Sequence, residues 1–158
     1  MVGFSEARVE GIEMNAIDRM GIEHECARLI TLYAALNDAA RWEDVAALYT
    51  ESGRMSRPTA PDDFVEGRAA ILAAFKARPA RASRHICCNI LVTVERDDRA
   101  TASSQILLFT GAAPDGDGLP IQSAAPPMVG TYHDILVRTD DGWRFIERRG
   151  SLDFAPAK

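Results

Sequence analysis

The sequence predicts an α+β fold, with helices in the first half of the chain and an antiparallel meander in the second. Between residues 22 and 77 apolar side chains recur at intervals of three and four, which is the spacing of helices with one buried face. After residue 86, β-rich runs alternate with turn signals such as Asp97-Asp98 and Asp140-Asp141-Gly142. Helices followed by strands, rather than alternating with them, are typical of the α+β class.

The first half contains three predicted helices, over residues 22–37, 42–49 and 67–77. In the main helix the apolar residues from Ile22 to Leu36 share one face, and the Asn37-Asp38 pair that follows favours a helix end. Pro79 ends the third, alanine-rich helix. The stretch 52–66 contains glycine and two prolines and predicts a short strand and a loop.

The second half contains four predicted strands, over residues 86–94, 100–109, 128–137 and 143–152. Strict alternation on the first of them separates a mixed face from an apolar face formed by Ile86, Cys88, Ile90, Val92 and Val94. We expect the helices to cover the mixed face and a second subunit to cover the apolar one, which predicts a homodimer or homo-oligomer. The long connection 111–127 is either a pocket lid or a plain hairpin tip.

Length and charge limit the possible functions. The 158 residues suit one domain over residues 21–154, with an N-terminal extension over 1–20, helical or mobile, and a short tail over 155–158. The net charge of −5 provides no basic stripe, so we expect no nucleic-acid partner. No signal peptide or membrane-spanning run is visible, and three cysteines form neither a disulfide framework nor a zinc motif. These features favour a soluble, cytoplasmic protein.

Asp38 and His85 are the most informative candidates for chemistry. Asp38 follows the main helix, and His85 opens the first strand of the meander. A neutral imidazole can remove a proton from carbon at neutral pH, and a partner carboxylate fixes its tautomer and stabilises the imidazolium that forms. No phosphate loop, dinucleotide motif or nucleophile elbow is present, so we expect no cofactor and no bound metal.

The order of these features resembles a known superfamily over about residues 20 to 154. The helix ends in Leu36-Asn37-Asp38, Trp42 stands four residues after Asp38, His85 opens a strand, and the runs 130–134 and 141–145 follow. This layout is similar to the SnoaL-like branch of the nuclear-transport-factor-2-like superfamily, which includes scytalone dehydratase, hexachlorocyclohexane dehydrochlorinase and the small subunits of aromatic-ring dioxygenases. The resemblance implies a cone-shaped roll, the NTF2-like or cystatin-like fold, in which three helices pack on a curved, mostly antiparallel sheet around a deep pocket.

The resemblance also implies roles for particular residues. In scytalone dehydratase and the dehydrochlorinase the catalytic aspartate precedes the aromatic residue of the second helix by four positions, and the catalytic histidine opens the next strand. These positions are Asp38 and His85 here. The dehydratase has a tyrosine where this chain has Asn37 and a second histidine where it has Thr110, so its reaction does not transfer unchanged. His133 stands where the dehydratase places a pocket asparagine, and we expect it to be an auxiliary catalytic donor.

These comparisons complete the predicted site. The residues expected to contact substrate are Asn37, Tyr33, Tyr49, Thr131 and Cys87. Alternation places one of Arg148 and Arg149 toward the pocket and leaves open which one.

Three functions are consistent with the sequence. The first is a cofactor-independent lyase or isomerase that acts on a small, apolar cyclic or aromatic substrate, with His85 as general acid or base and Asp38 as its orienting partner. The second is the non-catalytic β subunit of an aromatic-ring-hydroxylating dioxygenase, bound to an iron-containing α subunit. The third is a pocket protein that binds a hydrophobic ligand. A co-purifying larger subunit would favour the second, and a homodimer with a ligand in its pocket would favour the others.

Overall fold

The computed structural model describes residues 14–113 and 118–154 of the chain. The elements are three helices and six strands: α1 (Ala16–Asp38), α2 (Trp42–Ala47), β1 (Tyr49–Arg57), β2 (Ala60–Glu66), α3 (Arg68–Lys76), β3 (Arg81–Arg96), β4 (Arg99–Ala112), β5 (Met128–Thr139) and β6 (Gly142–Phe154). The predicted order of helices and strands is confirmed. No helix in the described ranges is both long enough and apolar enough to span a bilayer.

The six strands form one curved sheet in the order β2-β1-β6-β5-β4-β3. All neighbouring pairs are antiparallel except β1 and β6, which are parallel. The mostly antiparallel roll expected from the sequence is therefore confirmed. The helices lie on the concave face, where the apolar residues of α1 and α3 pack against the inward side chains of the sheet.

The helix α1 begins where the side chain of Asn15 accepts a 2.9 Å hydrogen bond from the Asp18 amide. Its buried face runs from Ile22 to Asn37, as the helical spacing predicts. Residues 16–20, which we assigned to an N-terminal extension, are the first turns of this helix. The rest of that extension up to residue 13, and the tail after residue 154, lie outside the described residues.

The prediction of one short strand and a loop over residues 52–66 was incomplete. This stretch forms an antiparallel hairpin, in which Met55 of β1 pairs with Val65 of β2. Pro58 occupies the turn between the strands, and Pro61 lies in β2 at the edge of the sheet. A proline is tolerated in an edge strand because its missing N–H removes no bond from the interior of the sheet.

The predicted face assignment of the first meander strand was wrong because β3 contains a β-bulge. The pairing with β4 shifts between Cys88 and Leu91, and Asn89 within the shift has a φ of 48°. The bulge exchanges the two faces, so Cys87 and Ile90 both point toward the core. The five apolar residues of the supposed outer face therefore divide between the core (Ile90, Val92 and Val94) and the outer surface (Ile86 and Cys88).

Candidate active site

Asp38 and His85 meet at the open end of the roll, as predicted. Asp38 is the last residue of α1, and His85 lies near the start of β3. Asp38 Oδ1 is 2.6 Å from His85 Nδ1, and each side chain is only 8% exposed. The hydrogen-bonded pair that the sequence indicated is confirmed.

The carboxylate of Asp38 is fixed by two further donors from β3. The backbone N–H of His85 donates to Asp38 Oδ2 at 2.9 Å, and Ser83 Oγ donates to Asp38 Oδ1 at 3.1 Å. Both oxygens thus have partners on the same strand that supplies the imidazole. The orientation of the carboxylate relative to the ring is determined by backbone geometry, which is the preorganisation that acid–base catalysis requires.

Burial sets the charge of the imidazole. It lowers the pKa of His85 below the ordinary value for histidine, while the hydrogen bond and negative charge of Asp38 oppose the shift and the nearby Arg81 and Arg78 add to it. His85 is consequently neutral at pH 7. Because Nδ1–H donates to Asp38, the neutral ring carries its free lone pair on Nε2, which is the nitrogen available to accept a proton.

The imidazole borders a cavity of about 270 Å³ between the helices and the concave face of the sheet. One wall is apolar and includes Met55, Ile106 and Leu108. A second cavity of about 220 Å³ lies beside it, and the two share Asn37, Arg78, Pro79, Arg81 and His85. The dyad histidine is therefore accessible from both cavities. The full lining of the larger one is Tyr33, Asn37, Met55, Ser56, Arg57, Pro58, Thr59, Arg78, Pro79, Arg81, His85, Ile106, Leu108, Met128, Tyr132 and Leu152.

Asn37 lies in the cavity wall one residue before the catalytic candidate Asp38. Its Nδ2 donates to the carbonyl of Tyr33 one turn earlier at 3.0 Å, which points Oδ1 toward the cavity. Arg78 Nη1 reaches that oxygen at 3.4 Å. The predicted position of Asn37 at the pocket is thus correct, and Arg78, which was not among the predicted site residues, lies against it.

A buried ion pair packs against the aromatic rings that line the cavity. Tyr33 and Tyr132 line the cavity, and the Arg148 guanidinium lies beneath them, 4.2 and 4.3 Å from the two ring centroids. Arg148 donates two hydrogen bonds of 2.8 Å to Asp134. Burial by itself lowers the pKa of Arg148, but the Asp134 carboxylate more than offsets this and raises it, so the guanidinium stays charged inside the core.

The structure also decides between Arg148 and Arg149. Arg148 points inward and is fully buried. Arg149 points to the outer side, where it donates to the carbonyl of Pro61 and to Asp62.

Four predicted site residues, Thr131, His133, Tyr49 and Cys87, do not line the cavity. His133 and Thr131 alternate with the inward residues Tyr132 and Asp134, so they lie on the outer face of β5, where His133 is exposed. The assignment of these two residues to the pocket is corrected. Tyr49 is fully buried in the core against Phe145 and is absent from the cavity lining.

Cys87 has an intermediate position. It lies on the inner face of β3 two residues after His85 and packs against the core. It does not line either cavity, and burial raises the pKa of its thiol, so it remains protonated. Tyr33, in contrast, lines the cavity as expected.

The cavity-lining residues that the predicted site did not include are Tyr132 and the arginines at positions 57, 78 and 81. Tyr132 had a usable signal, because it alternates with His133 and one of the two had to face inward. Arg57 ends β1, whereas Arg78 and Arg81 lie close together in the connection after α3 and at the start of β3, so only the folded chain brings Arg57 to the same cavity as the other two. Within residues 14–113 and 118–154, no cluster of three or more histidine, cysteine, aspartate or glutamate side chains could hold a metal ion.

The comparisons with known proteins agree with this architecture. The SnoaL-like domain family matches residues 18–149. No curated protein matches the sequence.

Solved structures share the fold across nearly the whole chain. An NTF2-like protein with a cystatin-like fold from Novosphingobium aromaticivorans has 25% identity and a TM-score of 0.71, and the match covers 93% of this chain and 95% of that one. A protein from the same organism, provisionally named a scytalone dehydratase, has 20% identity and a TM-score of 0.71 over 90% and 94% of the two chains. ActVI-ORFA of Streptomyces coelicolor has 22% identity and a TM-score of 0.66 over 82% and 96%.

Proposed function

This chain belongs to the SnoaL-like domain family, and from that premise we propose that it is a cofactor-independent lyase or isomerase acting on a small cyclic substrate. The observation that carries the proposal is the 2.6 Å contact between Asp38 and His85 at the wall of a ligand-sized cavity. The similarity to a protein provisionally named a scytalone dehydratase is consistent with this reaction class.

The chemistry follows from the protonation states. His85 Nε2 accepts a proton from a substrate carbon next to a carbonyl group, and the electron pair of the broken C–H bond forms an enolate. Asp38 stabilises the imidazolium through its bond to Nδ1. The same imidazolium then returns the proton to a different carbon, which gives an isomer, or to a departing hydroxyl group, which leaves as water when the enolate collapses to an alkene.

Proton removal can be tested directly with a bicyclic ketone. 2-Tetralone has acidic C–H groups beside its carbonyl, so abstraction and return of a proton in D₂O incorporates deuterium that proton NMR detects. We expect the wild-type protein to accelerate this exchange over buffer. His85→Ala should slow it by roughly two to four orders of magnitude, the usual size of a general-base contribution. Asp38→Asn should lose as much or less, because it preserves the shape of the pair but removes its charge.

The control is His24→Ala, which removes an exposed imidazole on α1 away from the cavity. It should exchange deuterium at the wild-type rate. Equal rates for wild type and a folded His85→Ala variant would refute the catalytic role. The protein would then be one that binds a ligand in its cavity without transforming it.

A further inference from the structure

Three arginines converge on the cavity beside the dyad. Arg57 ends β1, Arg78 follows α3, and Arg81 begins β3, and all three line the larger cavity together with His85. Arg78 and Arg81 also line the second cavity. Two separate parts of the chain, the end of β1 and the segment from Arg78 to Arg81, therefore bring positive charge to one place.

This charge has no counterpart in the described lining. Neither cavity has an acidic residue among its lining residues, although the chain as a whole carries a net charge of −5. In the described part of the chain, no carboxylate lies within ion-pair distance of these three arginines. Arg149 on the outer face, by comparison, is paired with Asp62 at 2.6 Å.

Arg78 is the most constrained of the three. Its guanidinium lies over the Phe75 ring at 4.0 Å and makes one long contact of 3.4 Å to Asn37 Oδ1. A guanidinium has five N–H donors, so most of its hydrogen-bonding capacity is unused by the described residues. Burial lowers the pKa of Arg78, and the charges of Arg57 and Arg81 lower it further. An anion in the cavity would relieve this repulsion.

We propose that the substrate is a cyclic carboxylate, whose ring lies against the apolar wall and whose carboxylate binds Arg78 with Arg57 and Arg81 at its sides. The proposal rests on the proposed function and names the substrate class of that site. Guanidinium groups suit carboxylates because two parallel N–H donors match the two oxygens. Bound there, the acid group would hold the ring beside His85, which also lines the cavity.

The size of the cavity agrees with this class of ligand. A cavity of about 150 Å³ holds one benzene ring. The 270 Å³ here accommodates one or two fused rings with a carboxylate. The apolar residues Ile106, Leu108 and Met128 provide the surface against which such rings pack.

A matched pair of unreactive ligands tests the proposal. 2-Naphthoate and 2-naphthamide have the same rings and differ in the charge of one group, and calorimetric titration gives both affinities. We expect the wild-type protein to bind the acid roughly ten- to a hundredfold more tightly than the amide, the range of a charge-assisted hydrogen bond. Arg78→Gln and Arg81→Gln should each remove most of this preference without weakening the amide.

The controls separate a specific site from general charge. Arg96→Gln, at the exposed last residue of β3, should retain the full preference. Equal affinity for acid and amide in the wild type would overturn the proposal, as would an unchanged preference in both cavity variants. If inorganic sulfate at equal ionic strength displaces the acid as well as a second carboxylate does, the site is a general anion site and the proposal fails. Arg81 is exposed, so its variant should fold even if Arg78→Gln does not.

The result of this binding test does not depend on whether the protein catalyses a reaction. His85→Ala should still prefer the acid, because it leaves all three arginines in place. A protein that prefers naphthoate but exchanges no deuterium would refute the proposed reaction and retain the carboxylate site. A protein that exchanges deuterium but binds acid and amide equally would support the proposed reaction and refute the carboxylate site.

Discussion

Removal of Asp134 should destabilise this protein more than removal of any exposed carboxylate. Asp134 accepts two hydrogen bonds of 2.8 Å from Arg148, and both side chains are essentially inaccessible to solvent. Asp134→Ala leaves the Arg148 cation in the core with only the faces of Tyr33, Tyr132 and Phe145 around it. These rings offset part of the lost attraction, but they accept no strong hydrogen bond.

The magnitude follows from the two lost bonds. Each hydrogen bond to a charged group contributes about 1.5–3 kcal/mol, and breaking a buried ion pair on one side typically costs about 3–5 kcal/mol. For a domain of this size about 1 kcal/mol shifts the melting temperature by roughly 2–4 °C, so Tm should fall by about 6–20 °C. The double variant Asp134→Ala with Arg148→Met should recover much of the loss, because no unpaired charge remains.

Urea unfolding followed by circular dichroism measures these differences. The matched control is Asp62→Ala. It removes the carboxylate that pairs with Arg149, which follows Arg148 in β6 and forms its ion pair at the exposed surface. That change should cost less than about 1 kcal/mol, because exposed ion pairs contribute little. A loss below about 1 kcal/mol for Asp134→Ala, or a double variant less stable than the single one, would refute the account of Arg148 as a cation held by its carboxylate.

Two further predictions concern pH and assembly. The pKa of His85 is lower in the folded state than in the unfolded chain, so the unfolded state binds more protons and stability should fall as pH drops from about 6.5 through the folded pKa. His85→Gln should flatten this dependence in thermal unfolding at pH 5 to 8, and an equally steep dependence in the variant would contradict it. The outer sheet face has an apolar row of Ile86, Leu107, Val129 and Phe154 across four strands, so we expect a homodimer through this face with more than about 1,200 Å² buried in total. Sedimentation should show dimers that Ile86→Asp dissociates, and a wild-type monomer at micromolar concentration would count against it.

The pairing of Asp38 with His85 could be predicted from the sequence because each residue stands next to a clear boundary. Asp38 follows a strongly periodic helix, and His85 opens a β-rich run, so their places in the fold depended only on element type and order. The family resemblance then supplied the relative placement of the two elements. Both kinds of information tolerate errors of a few residues at the element ends.

The faces of the strands could not be predicted in the same way because they depend on bulges. One extra residue at Asn89 exchanges the two faces of β3, and no local signal required a positive φ there. Phe145 and Arg148 both point inward although they are three positions apart, an odd number, because the pairing of β5 and β6 also shifts. Strict alternation could therefore not choose between Arg148 and Arg149.

The arginines at the cavity show a different limit. Arg57 ends β1, Arg78 lies in the connection between α3 and β3, and Arg81 begins β3, and arginine at such boundary positions is ordinarily a solvated residue. Their convergence results from the parallel pairing of β1 with β6 and the return of the chain from α3 to the sheet edge, which are tertiary features that no local pattern encodes.

His85 is a neutral imidazole that donates its Nδ1 proton to the Asp38 carboxylate, and the proposed reaction depends on this arrangement. Nitrogen-15 NMR of the histidine side chains distinguishes the two neutral tautomers and the imidazolium by their chemical shifts. At pH 7 we expect His85 to be neutral, with Nδ1 protonated and Nε2 bare, and to titrate below the ordinary pKa of histidine. In Asp38→Asn this tautomer preference should weaken. A His85 ring that is charged at pH 7, or that carries its proton on Nε2 in the wild type, would contradict the assignment of Nε2 as the proton acceptor.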